Sequence, residues 1–289
     1  MDTVAQPTYV VDMEDIEYLR HGDQPLLMRL YKPRGVGPFP IVVNLHGGAW
    51  CKFDRTNDHV VNEPIAKTGV IIAALDFRMP PQAAYPASMQ DINYGVRWLK
   101  KNAANFKGDA SRIAISGSSS GGHQAILNGM RPRDARYSAI PLKDGAGLDA
   151  SVQGVILCSP VICPQGRYQY AQRLKASPPY PESVDLWIPC HHDFWGTEAA
   201  MSEGSPVCAL ERGEKSELPP VLYLSGTQDK AHPRVDLDRF VAAYRKAGGR
   251  VDLRLYEGEA EGFMNRKADG AAAQQAREAY ANFVRTEVK

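Results

Sequence analysis

The sequence predicts an α/β protein with a largely parallel central sheet and helices on both faces. Short apolar runs alternate along the chain with segments of helical periodicity, which is typical of that fold class. Val70 to Leu75 is continuously apolar, as strands buried on both faces of a sheet are. Ala87 to Phe106 follows with Ile92, Val96 and Leu99 on one side of a predicted helix.

The same alternation continues along the rest of the chain. Leu26 to Tyr31 alternates and stops at Pro33, which predicts an outer antiparallel strand. Further strand-like segments follow in chain order: Ile41 to Leu45, Arg112 to Ser116, Val152 to Leu157, Val221 to Leu224 and Val251 to Leu255. Ala271 to Val288 is rich in alanine and predicts a closing helix, with Ala279 and Phe283 on one face.

Length and charge exclude several classes of protein. The 289 residues are 44% hydrophobic and 23% charged, so the chain can bury a large core and is not disordered. With a net charge of +1 and no long run of one sign, neither nucleic acid nor an anionic membrane is expected as a partner. We find no linker or internal repeat, and we expect a single domain over residues 1–289.

The cysteines and the N-terminus predict a cytoplasmic protein. Five cysteines without a CxxC spacing favour free thiols in a reducing compartment over zinc ligation or a disulfide framework. The segment Met1 to Pro7 lacks the basic start and apolar core of a signal peptide. No apolar run approaches the roughly 20 residues that cross a bilayer.

One stretch interrupts the alternation of strands and helices. Residues 161–206 contain no clear strand but are dense in proline and in aromatic residues. An insertion of this kind between two core strands predicts a cap over a pocket, and the alternative is a surface excursion that packs its own aromatic residues.

A run of three serines predicts a nucleophile. Only Ser119 has glycine at both −2 (Gly117) and +2 (Gly121), where a sharp turn from strand to helix requires small residues. A strand-like segment precedes it and a helical one follows it. Nothing in this stretch resembles the GxxxxGK[ST] phosphate-binding loop, which is the main alternative for such a turn.

A second glycine motif predicts an oxyanion hole. His46-Gly47-Gly48 directly follows a predicted strand upstream of Ser119. Backbone N–H groups of Gly47 and Gly48, together with that of Ser120, would face the negative charge that develops on a substrate oxygen. His46 is expected to organise this loop rather than to act as a base.

Asp229 follows the predicted strand Val221 to Leu224, after the insertion and before the final helix. In hydrolases whose serine lies in such a strand-to-helix turn, the catalytic residues follow the chain order serine, acid, histidine. The position of Asp229 after Ser119 agrees with this order. We therefore expect Asp229 to orient and charge-balance a base.

These motifs together resemble the hormone-sensitive-lipase-like and feruloyl-esterase-like carboxylesterases of the α/β-hydrolase superfamily. The matching segments are His46-Gly47-Gly48-Ala49-Trp50, Asp76-Phe77-Arg78, Tyr85-Pro86-Ala87, Arg97-Trp98-Leu99, Gly117 to Gly122, Gly226 to Asp229, Tyr256-Glu257-Gly258 and Gly262-Phe263. The resemblance covers the chain from about Leu26. It implies an α/β-hydrolase fold with a cap, hydrolysis of carboxylic esters through an acyl-serine intermediate, and no cofactor or metal.

The chain departs from that family at one position. In the family the residue before the late Gly-Phe pair is the catalytic histidine, and here it is Glu261. The predicted triad is therefore Ser119, Asp229 and Glu261. Glutamate is a weak base for a serine hydroxyl, since an isolated glutamate titrates at about 4.3. Side by side, the two carboxylates would repel each other and could share a proton.

Other histidines could replace the missing base. His191 and His192 lie in the predicted cap and could swing toward the pocket, so they are the best candidates. His123 lies on the helix after the nucleophile, where a structural role is expected. His232 comes three residues after Asp229, which predicts that it is too close along the loop to serve.

The sequence favours a serine hydrolase for a small ester or amide substrate. The alternatives are a lyase or cyclase that uses the carboxylate pair of Asp229 and Glu261, and a catalytically weak binding protein. On this basis Glu261→His should raise ester turnover, and a fluorophosphonate should label Ser119 slowly. The resemblance also allows a homodimer.

Overall fold

An eight-stranded sheet forms the centre of the computed structural model, which describes residues 8–289. Its strand order is β1-β2-β4-β3-β5-β6-β7-β8. The strands are Val11–His21 (β1), Gln24–Pro33 (β2), Phe39–Leu45 (β3), Ile71–Leu75 (β4), Gly108–Ser118 (β5), Val155–Cys158 (β6), Val221–Gly226 (β7) and Val251–Tyr256 (β8). The segment Met1 to Pro7, on which the expectation about a signal peptide rests, lies outside the described residues.

From β4 to β8 neighbouring strands are parallel, whereas β2 pairs antiparallel with both β1 and β4. The predicted parallel sheet with an outer antiparallel strand is therefore confirmed. Strand β1 is not predicted from the sequence, because its half-exposed, charge-rich stretch lacks the apolar run of a buried strand.

Ten α-helices connect or flank the described strands. They are His59–Ala66 (α1), Ala87–Asn102 (α2), Ser120–Met130 (α3), Pro164–Lys175 (α4), Val184–Trp195 (α5), Glu198–Glu203 (α6), Pro206–Glu211 (α7), Arg234–Lys246 (α8), Phe263–Arg266 (α9) and Ala271–Glu287 (α10). A 3₁₀ turn, Ala103–Phe106, extends α2 and completes the helical segment that the sequence predicts. Within residues 8–289 no helix is long and apolar enough to cross a bilayer.

The core consists of two apolar layers, one on each face of the sheet. Strand β3 supplies both, because successive side chains of a strand point to opposite faces. Ile41 and Val43 belong to the layer that includes residues of α2, α3 and α8, and Val42 belongs to the layer that includes residues of α1 and α10. Every residue of β3 and β4 is buried, and for β4 this is the environment that its continuously apolar sequence predicts.

The regular secondary structure between β6 and β7 consists of helices alone. Helices α4 to α7 fill it and continue to Glu211, past the predicted end of the insertion at residue 206. Its aromatic residues surround Trp50, which extends from the loop after β3. Trp50 is 1% exposed and lies parallel to Phe194 at 5.4 Å and edge-on to Trp195 at 5.6 Å. The insertion therefore packs directly on the loop that the sequence assigns to the oxyanion hole.

Candidate active site

Ser119 lies at the turn between the central strand β5 and helix α3. Its backbone has φ 49° and ψ −117°, a region that residues other than glycine rarely occupy. Three hydrogen bonds hold this strained backbone: Ser119 N–H donates to the Cys158 carbonyl at 3.0 Å, and its own carbonyl accepts from Val161 N–H at 2.9 Å and His123 N–H at 3.1 Å. The strain directs the hydroxyl away from strand and helix into a pocket.

The glycines on either side of Ser119 allow the turn to form. A Cβ on Gly117 would overlap the backbone of Gly121, and a Cβ on Gly121 would overlap the carbonyl oxygens of Leu45 and His46. These overlaps are with main-chain atoms, which cannot move aside as a side chain can. The spacing of small residues from which the sequence analysis chose Ser119 among three serines therefore has a direct steric cause.

The loop after β3 passes over Ser119. A Cβ on Gly47 would lie 3.3 Å from Ser119 Cβ, so the main chain approaches the nucleophile closely. Among residues 8–289, the N–H groups of Gly47, Gly48 and Ser120 donate to no protein oxygen. Ser120 also begins α3, whose positive N-terminal end adds to the attraction for an anion. The predicted oxyanion-hole residues thus come together beside the serine.

Two neighbouring side chains fix the shape of this loop. Trp50 N–H donates to Ser120 Oγ at 3.1 Å, which ties the loop to the start of α3. His46 stacks on Phe77 at 4.5 Å, and its Nδ1 lies 2.9 Å from the Gly47 carbonyl. His46 therefore organises the loop, as the sequence analysis expects.

Asp229 and His232 form a tight turn after β7. Asp229 Oδ1 accepts from Ala231 N–H at 2.9 Å and from His232 N–H at 3.1 Å, which curls the loop back on itself. The curl brings His232 Nδ1 to 2.9 Å from Asp229 Oδ2. Burial opposes ionisation of Asp229, but the charge of His232 and the three hydrogen bonds outweigh it, so the pKa of Asp229 lies below its usual value.

His232 reaches Ser119 from that turn. Its Nε2 is 3.4 Å from Ser119 Oγ, a long hydrogen bond of the kind that such pairs show without substrate. Because a carboxylate can only accept, Nδ1 carries the proton shared with Asp229, and Nε2 is free to accept from the serine. The prediction that His232 is too close along the loop is wrong, because the turn at Asp229 reorients its ring.

Glu261 lies in the same pocket but is bonded elsewhere. Its Oε2 accepts from Arg266 Nη2 at 3.3 Å, and among the described residues it forms no hydrogen bond with Ser119 or Asp229. The predicted carboxylate pair is therefore wrong in its geometry: Asp229 is paired with His232 and Glu261 with Arg266. The side chain in hydrogen-bond reach of the nucleophile is a histidine.

The two cap histidines are also held away from Ser119. His191 is fully buried, with Nδ1 2.7 Å from the Trp187 carbonyl, and His192 Nε2 lies 2.7 Å from Tyr168 Oη. Neither candidate for an alternative base in the insertion therefore bonds to Ser119. His123 has the structural role expected of it: it accepts from Trp50 Nε1 at 3.3 Å, and its Nε2 lies 2.8 Å from the Gly204 carbonyl.

Buried neutral histidines predict that the fold loses stability in mild acid. Burial lowers the pKa of His123 to about 4 and that of His191 to about 3, against about 6.5 in an unfolded chain. Below about pH 6.5 the unfolded chain binds protons that the folded chain does not, so stability is complete above that pH and falls toward pH 4. We expect a loss of about 2 kcal/mol per histidine from pH 7 to 5.

Urea unfolding at pH 7 and pH 5 measures this loss. The variant His123→Gln is expected to be less stable at pH 7 but to lose less on acidification than the native chain. An equal loss of unfolding free energy between pH 7 and pH 5 in the two proteins would show that His123 does not bind a proton on unfolding.

A pocket of about 400 Å³ opens over Ser119. Its wall combines the nucleophile and oxyanion-hole loops with the insertion between β6 and β7, which supplies Arg167, Pro181, Ser183, Leu186 and Trp187. The loop after β7, which contains Asp229 and is called the acid loop below, and the segment after β8 complete the wall. The insertion therefore forms part of the wall of the pocket that contains Ser119.

The known proteins that this chain resembles in sequence are esterases. The BD-FAE family model matches residues 28–156, which contain the glycine loop, Ser119 and helix α3. Esterase LipC of Mycobacterium tuberculosis is 27% identical over 243 residues, or 81% of this chain. The chain has the fold of the α/β hydrolases. The resemblance to carboxylesterases of that fold, which the motifs carry, is confirmed.

Solved structures give the same fold. An esterase from the Planctomycetes species Thermogutta terrifontis, with butyrate bound, is 25% identical at a TM-score of 0.73, covering 94% of this chain and 93% of that one. The Pyrobaculum calidifontis esterase is 22% identical at a TM-score of 0.77, covering 97% of this chain and 86% of its own. The match to LipC covers 57% of LipC, so the chain spans little more than half the length of that curated relative.

Proposed function

We propose that this α/β hydrolase is a serine carboxylesterase whose triad is Ser119, His232 and Asp229. The observation that carries the proposal is the continuous chain of hydrogen bonds from Ser119 Oγ through the His232 ring to Asp229. A nucleophile bonded to a base, with the base oriented by a carboxylate, is the arrangement that acyl transfer requires. The family position of the histidine is taken by Glu261, and the base comes from the acid loop.

Acylation would begin when Ser119 Oγ attacks the carbonyl carbon of an ester. His232 Nε2 accepts the hydroxyl proton, and Asp229 stabilises the resulting imidazolium. The negative charge on the carbonyl oxygen faces the N–H groups of Gly47, Gly48 and Ser120. His232 then gives the proton to the departing alkoxide, which leaves as the alcohol, and the acyl group remains on Ser119.

Deacylation repeats these steps with water. His232 Nε2 accepts a proton from water as its oxygen attacks the acyl carbon, and the same N–H groups stabilise the second oxyanion. Collapse of this intermediate releases the carboxylic acid and returns the proton to Ser119 Oγ. Every proton transfer uses residues of this chain, so the reaction needs no cofactor.

The size of the pocket favours a small-molecule substrate, and the butyrate complex of the Thermogutta terrifontis relative agrees with a short acyl chain. No observation favours the lyase alternative over hydrolysis, because the proton-sharing pair of Asp229 and Glu261 on which it depends does not form.

Fluorophosphonate labelling tests the proposed nucleophile and base together. We expect fast, stoichiometric labelling of the native protein at pH 7, because a histidine in hydrogen-bond reach of Ser119 Oγ can accept its proton. Ser119→Ala should remove the label completely, and His232→Gln should slow it by orders of magnitude. The slow labelling expected from the sequence assumed Glu261 as the base.

Ser118→Ala is the matched control, since Ser118 is the neighbouring serine but ends β5 rather than occupying the strained turn. Labelling that survives Ser119→Ala would contradict the proposed nucleophile. Labelling that is equally fast in His232→Gln would contradict the proposed base.

A further inference from the structure

Arg167 is a buried cation in the wall of the catalytic pocket. It lies on α4, is 2% exposed and lines the pocket with Ser119. Its Nη1 atom is buried without a hydrogen-bond acceptor, and among residues 8–289 no carboxylate forms an ion pair with it. A buried charge without a partner costs free energy, so this arginine is expected to have a role that offsets the cost.

Two contacts hold the guanidinium in place. Arg167 Nε donates to the Ala231 carbonyl at 3.3 Å, next to His232, and the group lies over the Trp187 ring at 4.5 Å. The first contact uses one donor and the second uses the face of the guanidinium. Among residues 8–289 neither terminal nitrogen donates to a protein oxygen, and Nη1 is buried. These nitrogens are the donors left for a ligand in the pocket.

The surrounding charges do not neutralise Arg167. Glu261 and Asp229 are the carboxylates that act on it, but Glu261 is bonded to Arg266 and Asp229 to His232. Lys230 adds a further positive charge at the pocket wall. Burial lowers the pKa of Arg167 to about 10, so the group stays charged at neutral pH.

We propose that Arg167 binds a carboxylate of the substrate, so that the preferred substrates are esters that also carry a free carboxylate. This inference rests on the esterase function proposed above. A planar edge with two donors matches the two oxygens of a carboxylate, and a partly desolvated pocket strengthens that contact. A phosphate dianion would need more donors than this one buried edge supplies.

Matched pairs of esters test the proposal on each side of the scissile bond. Mono-4-nitrophenyl adipate and 4-nitrophenyl hexanoate differ by a carboxylate at the end of the acyl chain. Acetoxybenzoate and acetoxybenzamide, both substituted at the 4-position, differ by a carboxylate on the leaving group. The readout is the ratio of kcat/KM for the anionic ester to that for its neutral partner, and the pair with the higher ratio shows which part of the substrate carries the charge.

In the native enzyme at least one of these ratios should clearly exceed the ratio of the rates at which the same two esters hydrolyse without enzyme. Arg167→Gln should lower that ratio about tenfold or more, the usual effect of losing a hydrogen bond to a charged group. Arg167→Lys should give an intermediate ratio, because it keeps the charge but not the planar edge. Arg173→Gln removes an exposed arginine from the same helix and should leave the ratio within about twofold, as expected for a screened surface charge.

The ratio separates recognition from structure. If Arg167 only holds the Ala231 carbonyl, Arg167→Gln lowers both rates equally and the ratio stays constant, which overturns the proposal. A native preference for the neutral ester in both pairs also overturns it. If the native protein hydrolysed none of the four esters and a fluorophosphonate did not label Ser119, the result would instead contradict the esterase function itself.

Inhibition of the native enzyme gives a measurement that needs no variant to fold. Adipate should inhibit hydrolysis of 4-nitrophenyl hexanoate competitively, and adipamide should inhibit at least about tenfold more weakly. Equal inhibition by acid and amide would contradict binding of a carboxylate.

Discussion

Replacing His232 with alanine is expected to lower kcat/KM for a short p-nitrophenyl ester by about 10⁴-fold or more. His232 is the group in reach of Ser119 Oγ, and Asp229 holds its ring in the required tautomer. Without it the serine hydroxyl has no base, and the remaining rate comes from the oxyanion hole and substrate binding alone. Steady-state kinetics with circular dichroism as a check on folding measures this loss.

Glu261→Gln is the informative contrast in the same experiment. Glu261 contacts Arg266 rather than Ser119 or Asp229, so its loss should change kcat/KM by about tenfold at most. Glu261→His should give no gain, because His232 already occupies the position of the base; the sequence alone had predicted a gain. If Glu261→Gln abolished turnover while His232→Ala kept it, the base would have been assigned to the wrong loop.

The contrast between His232 and Glu261 shows which parts of the fold and of the site can be predicted from the sequence. The order of buried strands, the glycines around Ser119 and the glycine loop after β3 each have a local steric cause, and all are readable from sequence. The fold, the turn at Ser119 and the glycine loop beside it could therefore be predicted. Strand β1 could not, since its pairing with β2 is a property of the sheet rather than of its own residues.

The base could not be predicted because it depends on the conformation of one loop. A spacing of three residues between an acid and a histidine says nothing about their orientation. The two hydrogen bonds from the main chain to Asp229 Oδ1 turn the loop so that His232 Nδ1 donates to the carboxylate and Nε2 faces Ser119. The signal in the sequence was an aspartate directly after a predicted strand. Such an aspartate often accepts from the main-chain N–H two residues later and so forms a turn.

The second large effect is expected at Gly121, two residues after the nucleophile. Gly121→Ala should destabilise the fold by about 3 kcal/mol or more and remove esterase activity. The added methyl group overlaps the carbonyl oxygens of Leu45 and His46, where β3 leads into the oxyanion-hole loop. Relief requires α3 to move away from β3, which separates Ser119 from Gly47 and Gly48.

Gly147→Ala is the matched control for this substitution. Gly147 also gains a methyl group, and its φ of +82° is unfavourable for alanine, but no atom lies within 4 Å of the added Cβ. Its cost should be about 1 to 2 kcal/mol from backbone strain, with activity retained. Urea unfolding and ester kinetics on both variants separate the overlap from the strain. A Gly121→Ala protein as stable and active as the Gly147→Ala protein would mean that β3 and α3 can move apart without disturbing the site, and that the close approach at Gly121 does not hold the oxyanion-hole loop over Ser119.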